Sequence, residues 1–171
     1  MVIGEIVCIF KTEPFHRLLL QIKKEEQNMI RYVHGDIFES KAQTIVNPVN
    51  TVGVMGKGLA LSFKEKYPEM FKRYREICMK GLFNPGQLML FRYLDHWVLL
   101  FPTKIHWKDE SKIEYIEEGL KKFTETYLQK GIHSVAFSKL GCGNGHLSWD
   151  IVKPIMEKYL EPLPIPVFIY V

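Results

Sequence analysis

The sequence predicts an α/β protein, one sheet with helices on both faces. Two observations carry this. From Thr44 onward, short apolar strands alternate with helical stretches whose apolar residues recur three and four apart. Two of those strands run into a glycine-rich loop that opens into a helix, first through Gly53, Gly56 and Gly58, then through Gly141, Gly143 and Gly145. A chain of 171 residues with 47% hydrophobic residues makes one domain with a full core the default.

Met29–Val33 reads as the first strand of that domain, and His34–Phe38 as the turn after it. Thr44–Asn47 is the next strand. Leu59–Lys66 is helical, and Pro68 ends it and starts a second helix at its first turn. That helix sets Phe71, Tyr74 and Cys78 on one face, with Met70 and Ile77 beside them, and stops at Gly81. Gln87–Tyr93 and His96–Phe101 are strands joined by a tight turn at Leu94-Asp95. Ser111 and Glu114 form the pattern of a capping box. The helix behind them presents Ile113, Ile116, Leu120, Phe123 and Tyr127, and Gly131 closes it. Ile132–Phe137 is a strand, Ser148 caps a helix to about Tyr159, and Val167–Val171 is a last buried strand. Residues 1–28 have two readings. They are an extension ahead of a domain spanning 29–171, or an ordinary first strand (Val2–Phe10) and helix (Pro14–Gln27) of it.

The net charge of +4 and pI of 8.9 suit a phosphate-bearing partner and equally suit a plain soluble surface. Cys8, Cys78 and Cys142 are odd in number, far apart and without a Cys-x-x-Cys pair. The expectation is no disulfide framework, no metal site and a cytoplasmic protein. No apolar run is long enough to span a membrane, so no membrane partner is expected.

Ile45–Ser62 is the most informative stretch. Asn47 and Asn50 each carry a donor and an acceptor, which suits adjacent sugar hydroxyls. The glycines after them let a phosphate approach backbone N–H groups at a helix start, where the helix favours negative charge. Gly56-Lys57-Gly58 lacks the Ser or Thr and the spacing of a P-loop. Gly53-x-x-Gly56-x-Gly58 is not the Rossmann order. The residues therefore point to a nucleotide site of another kind, with the second glycine loop gripping the same diphosphate.

Four segments in order carry a resemblance: Gly35-Asp36-Ile37; Ile45-Val46-Asn47-Pro48-Val49-Asn50; Gly56-Lys57-Gly58-Leu59-Ala60; and Leu140-Gly141-Cys142-Gly143. Together they resemble the macrodomain family of ADP-ribose-binding modules over about residues 29–171. Phe101-Pro102-Thr103-Lys104 with His106-Trp107, and the Gly-Cys-Gly loop before Leu147-x-Trp149, are similar to the branch holding the DarG-type DNA ADP-ribosyl glycohydrolases and the terminal ADP-ribose protein glycohydrolase. The resemblance implies a three-layer α/β/α sandwich on a central mixed sheet. It implies that Asp36, with Ile37 beside it, meets the adenine amino group, and that Asn50, or failing it Asn47, faces the distal ribose. Gly56, Lys57, Gly58 and Leu59 would lie along the diphosphate and that ribose. Gly141, Cys142, Gly143, Asn144 and Gly145 would form the second diphosphate loop.

Lys104 takes the place of that branch's catalytic lysine. A neutral amine there can attack the anomeric carbon of the distal ribose, once burial or nearby cations lower its pKa; the plainer reading is a solvated loop lysine. The protein-directed relative carries an acid in the second glycine loop, and Gly145 stands in its place, as in the DNA-directed branch. The implied activity is removal of ADP-ribose from modified DNA bases, an antitoxin-like role with no cofactor. Its partners would be ADP-ribose, ADP-ribosylated DNA (single-stranded DNA included) and a cognate ADP-ribosyltransferase toxin. Hydrolysis on protein carboxylates and binding without turnover are the alternatives. His106 and His146 remain as proton carriers, whereas His34 reads as structural. Cys142 fits by its small size, a nucleophilic role being the alternative. Trp107, among cations, suits stacking on a base, and Trp149 suits the core.

Overall fold

A computed structural model describes residues 29–171. The strand and helix expected before Met29 lie outside the described residues. The described chain forms β1 (Ile30–Val33), β2 (Thr44–Val49), α1 (Gly58–Lys66), α2 (Pro68–Met79), β3 (Met89–Arg92), β4 (Trp97–Pro102), α3 (Ile113–Thr126), β5 (Val135–Ser138), α4 (Trp149–Leu160) and β6 (Val167–Tyr170), with a short 3₁₀ turn at Ile37–Glu39. The six strands make one sheet in the order β1-β6-β5-β2-β4-β3. It is mixed, because β3 alone runs antiparallel to its neighbour. No helix among the described residues is long and apolar enough to cross a membrane.

Strand alternation sorts the core into two layers. Val46, Leu99, Phe101, Val135, Phe137, Val167 and Ile169 face α3 and α4. Ile45, Val49, Val98, Leu100 and Ala136 face α1 and α2. The sandwich therefore has three layers, as the four segments implied. On α2 the buried positions are Met70, Tyr74 and Cys78, four residues apart, so Met70 takes the place that the sequence assigned to Phe71. On α3, Gly119 has a structural reason: a Cβ there would run into the Phe101 ring, so the helix lies directly on β4.

Three local readings are corrected. Ser111 does not cap α3: the N-cap is Lys112, without a side-chain bond, and the Ser111 hydroxyl pairs with Thr103 Oγ1 at 3.1 Å. Ile132 is buried but precedes its strand, which starts at Val135 and ends at Ser138. β2 runs through Pro48 to Val49 instead of stopping at Asn47.

Pro48 in a central strand looks forbidden, since proline cannot donate to a ladder. Its surroundings resolve this. Thr44 N–H donates to Ser134, toward β5, while the Val49 carbonyl accepts from Thr103, toward β4. Alternate residues point alternate ways, so Pro48 turns its missing N–H toward β5. There the β2–β5 ladder has already ended, at Ile45 and Ala136. Beyond that point the two strands diverge. On one side of the divide the chain builds outward to β4 and β3, on the other to β6 and β1. Such a reversal at the C-terminal ends of parallel strands opens a crevice where ligands bind.

Candidate functional site

The crevice holds a pocket of about 870 Å³, walled by the segments after β2, β4 and β5 and by the end of β6. Hydrogen bonds stitch the three segments together. Thr51 N–H donates to the Ile105 carbonyl at 2.9 Å, and Ser111 N–H to the Gly145 carbonyl at 2.9 Å. Lys104 spans from the second segment to the third. Its Nζ donates to the Asn144 carbonyl at 2.7 Å and to the Asp109 carbonyl within its own loop.

The β2–α1 segment is shaped by Asn50. Its Oδ1 accepts from the Val52 and Val54 N–H groups and from the Tyr74 hydroxyl, and its Nδ2 donates to the Val54 carbonyl. The amide is engaged in folding its own loop, and it does so at the pocket wall. Gly53 turns this loop at φ 80°, where a Cβ would press on the α2 backbone at Arg75. The chain then enters α1 at Gly58 with no side-chain cap, because Lys57 at the N-cap makes no such bond. The N–H groups of Gly58, Leu59 and Ala60 are thus left for an anion, and all three residues line the pocket.

The β5–α4 segment comes close to the first one. A Cβ on Gly58 would sit 2.9 Å from Asn144 Nδ2, so the two glycine loops form one continuous wall. Gly145 is buried against Ser111 Oγ and the Gly141 carbonyl, and any side chain there would overlap both. A carboxylate side chain has no room at this position. His146 follows at φ 60°, the one non-glycine residue with positive φ among the described residues.

Lys104 is 8% exposed although it carries a charge-bearing amine. Burial lowers its pKa from the ordinary lysine value, opposed by Asp109 and Glu110 nearby. The plain solvated-lysine reading does not describe this side chain. Two N–H donors to two carbonyls leave its remaining tetrahedral position, proton or lone pair, without a protein partner among the described residues.

Of the residues singled out in the sequence, Asn50, Gly56, Lys57, Gly58, Leu59, Lys104, Gly141, Gly143, Asn144 and Gly145 meet at this pocket. Asp36, Ile37, Asn47 and Cys142 do not line it. The Asp36 carboxylate accepts from Phe38 N–H at 2.9 Å and starts the 3₁₀ turn, over the buried Ile37. Asn47 is fully buried; its Nδ2 faces Met55 Sδ at 3.8 Å, and its Oδ1 has no hydrogen-bond partner among the described residues. The Cys142 thiol bonds to the Leu140 carbonyl at 3.4 Å, and burial pushes its pKa up, so it does not have the makings of a nucleophile at neutral pH. His34 bonds the Val171 carbonyl at 3.0 Å, away from the pocket. Thr103, Lys139 and Tyr170, which carry no motif of their own, also line the wall, as does Ser111, whose spacing to Glu114 is that of a cap. Only the Thr103-Lys104 adjacency hinted at the first.

The wall is cationic. Lys57, Lys104, Lys108 and Lys139 line it, and among the described residues it holds no carboxylate. At its rim, Trp107 is 47% exposed, its ring 5.5 Å from His106 and 5.1 Å from Lys108 Nζ.

Comparison with known proteins agrees with this geometry. The Macro domain family matches residues 46–156. A DNA ADP-ribosyl transferase–DNA ADP-ribosyl glycohydrolase fusion protein of Thermosipho africanus is 43% identical over 157 residues, covering 81% of this chain and 40% of that protein. The solved structure of Thermosipho africanus DarTG in complex with ADP-ribose superposes with a TM-score of 0.79 at 44% identity, over 82% of this chain and 41% of that one. The macrodomain of Mycobacterium tuberculosis DarG superposes at 0.80 with 40% identity, over 84% and 97%. The chain spans about two fifths of the length of the curated relatives it matches, 40% and 41% for the first two. A six-stranded mixed sheet between two helical layers, a crevice at its strand reversal and a match over residues 46–156 lead to one statement: the chain belongs to the macrodomain family.

Proposed function

We propose that this chain binds ADP-ribose in the crevice and hydrolyses it from modified DNA bases, with Lys104 as nucleophile. The observation that carries the reading is Lys104 itself: a buried amine with lowered pKa at the point where the second loop meets the third, on the pocket wall. Relatives named DNA ADP-ribosyl glycohydrolase at 38–43% identity support the activity, and the ADP-ribose complex of one relative supports the ligand. The neutral Lys104 amine attacks the anomeric carbon of the distal ribose, the bond from that carbon to the base breaks, and water then releases ADP-ribose from the lysine. The uncapped start of α1 and the Gly141–Gly145 loop hold the diphosphate from both sides. Asn50 keeps the first loop in shape beside the distal ribose, and Asp36, outside the pocket wall, is assigned by the resemblance alone to the adenine amino group. The domain is residues 29–171.

A DNA substrate fits the rim better than a protein carboxylate does. Among the described residues the wall presents lysines without a carboxylate, and Trp107 stands exposed among cations, which suits the phosphates and bases of a single strand. Gly145 leaves no space for the acid used on protein substrates. The fusion of a DNA ADP-ribosyl transferase with a glycohydrolase in one relative supports a cognate DNA ADP-ribosyltransferase as the partner whose product this chain clears; that the partner is a toxin and that both act in the cytoplasm belong to the same proposal. Side-by-side assays on ADP-ribosylated single-stranded DNA and on glutamate-modified protein test the choice; turnover of protein alone contradicts it.

One observation favours a second reading, binding without turnover. The Lys104 Nζ already has two carbonyl acceptors, and these also suit a fixed ammonium that merely joins two loops. Calorimetric binding of ADP-ribose with no product from either substrate supports that reading.

A further inference from the structure

We propose that His146 is the proton carrier of this pocket. The proposal rests on the glycohydrolase reading and deepens it. Cleaving a bond between a sugar and a base requires a proton for the departing base and an acceptor for the proton of the entering water. Among the described residues the wall contains no carboxylate to do either. Its ionisable side chains are Lys57 at the start of α1, Lys104 and Lys108 in the β4–α3 segment, Lys139 and His146 in the β5–α4 segment, and Tyr170 at the end of β6. Asp109 and Glu110 lie near Lys104 but outside the wall. Imidazole is the side chain suited to giving and taking a proton near neutrality, and among the described residues His146 is the one histidine lining the wall.

The backbone around it gives a second, independent observation. His146 sits at φ 60°, a conformation that glycine adopts freely and that other residues hold at a cost. Its N–H donates to the Gly143 carbonyl at 3.0 Å, closing the loop whose Asn144 carbonyl accepts from Lys104. The imidazole is thereby attached two residues from the contact of the nucleophile. Among the described residues its ring makes no hydrogen bond. The ring of His106, the other candidate, accepts from Lys108 N–H at 3.2 Å and is not in the wall.

The steps balance. Lys104 Nζ forms a bond to the anomeric carbon as the bond from that carbon to the base nitrogen breaks. The electron pair stays on the base, and the His146 imidazolium supplies its proton. Water then bonds to the anomeric carbon, the lysine leaves with its electron pair, and the neutral imidazole takes the water proton. One water is consumed, and base and ADP-ribose are released.

The test uses the full chain on ADP-ribosylated single-stranded DNA, comparing wild type, His146→Gly, His146→Gln and Lys104→Ala. Glycine suits the positive φ, so His146→Gly is the variant expected to fold. Both His146 variants should lose about a hundredfold or more in kcat/KM while binding free ADP-ribose as wild type does in calorimetry. The wild-type rate should pass through a maximum with pH, and the fall on the alkaline side should vanish in His146→Gly. Added imidazole should restore turnover to His146→Gly and not to Lys104→Ala. A His146→Gly rate within threefold of wild type overturns the proposal, as does a loss that imidazole leaves untouched with an unchanged pH profile. If wild type itself releases nothing from the DNA, the glycohydrolase reading fails first and this proposal with it.

Discussion

Lys104 Nζ reaches across the pocket wall to the carbonyl oxygen of Asn144, 2.7 Å away, and so ties the segment after β4 to the segment after β5. One side chain is a strut between two loops of the pocket wall and, in the proposed function, also the amine that reacts. Burial brings these roles together: it lowers the amine's pKa and makes each carbonyl contact count for more than it would in water.

The pH dependence of stability follows from that burial. The folded pKa of Lys104 lies below its unfolded value, so between the two the unfolded chain binds more protons. The desolvation penalty is present in full below the folded pKa and is relieved as pH rises toward the ordinary lysine value of 10.5. Comparing wild type with Lys104→Met removes other titrations. The stability difference between them, from denaturant unfolding, should shift in favour of wild type as pH goes from 7 to 10. A difference that stays flat means that the amine is not desolvated.

Gly145 should tolerate no side chain. A Cβ there meets Ser111 Oγ and the Gly141 carbonyl, and neither is the end of a flexible chain. Gly145→Ala should cost about 1–3 kcal/mol, as overpacking does, read as a fall in Tm, and ADP-ribose binding should weaken with it. A Gly145→Asp protein as stable as wild type means that the loop opens more easily than its packing indicates.

The Tyr74 hydroxyl lies within hydrogen-bond distance of two oxygens of Asn50. Tyr74 OH donates to the Asn50 backbone carbonyl at 2.7 Å and stands 3.1 Å from its Oδ1. Asn50→Ala removes the bonds that fold residues 50–54 and leaves the Val52 and Val54 N–H groups without their acceptor. The loss should be about 1–3 kcal/mol, accompanied by weaker ADP-ribose binding. Tyr74→Phe keeps the amide's loop contacts and should cost less. Thermal unfolding of both variants checks the order.

Cys142 should be dispensable. Its thiol is held above the ordinary cysteine range by burial and points to the Leu140 carbonyl. Cys142→Ser should keep turnover within threefold, and alkylation of Cys142 by iodoacetamide at pH 7 should be slow. Rapid alkylation accompanied by loss of activity points instead to a role in the chemistry.

What the sequence made legible is local. Strand, glycine loop and helix stand consecutively at 45–62 and 135–160, so both walls of the crevice were readable, and the three- and four-residue spacing of α3 gave its buried face. Partnerships between distant residues were not readable. Ser111 and Glu114 have the spacing of a capping box, yet Thr103, brought alongside by β4, takes the serine hydroxyl. Pro48 marked the end of β2 on any local rule, and only the divergence of β5 allows the strand to continue through it. Asn47 and Asn50 look alike in sequence. The alternation of β2 buries the first under Met55, while the turn after β2 brings the second to the pocket.

The central claim is that Lys104 does the chemistry. The direct measurement is single-turnover release of ADP-ribose from modified single-stranded DNA by wild type and Lys104→Ala at equal saturation. The variant should still bind ADP-ribose but release it more slowly by on the order of a thousandfold or more. Release by Lys104→Ala at the wild-type rate would contradict it.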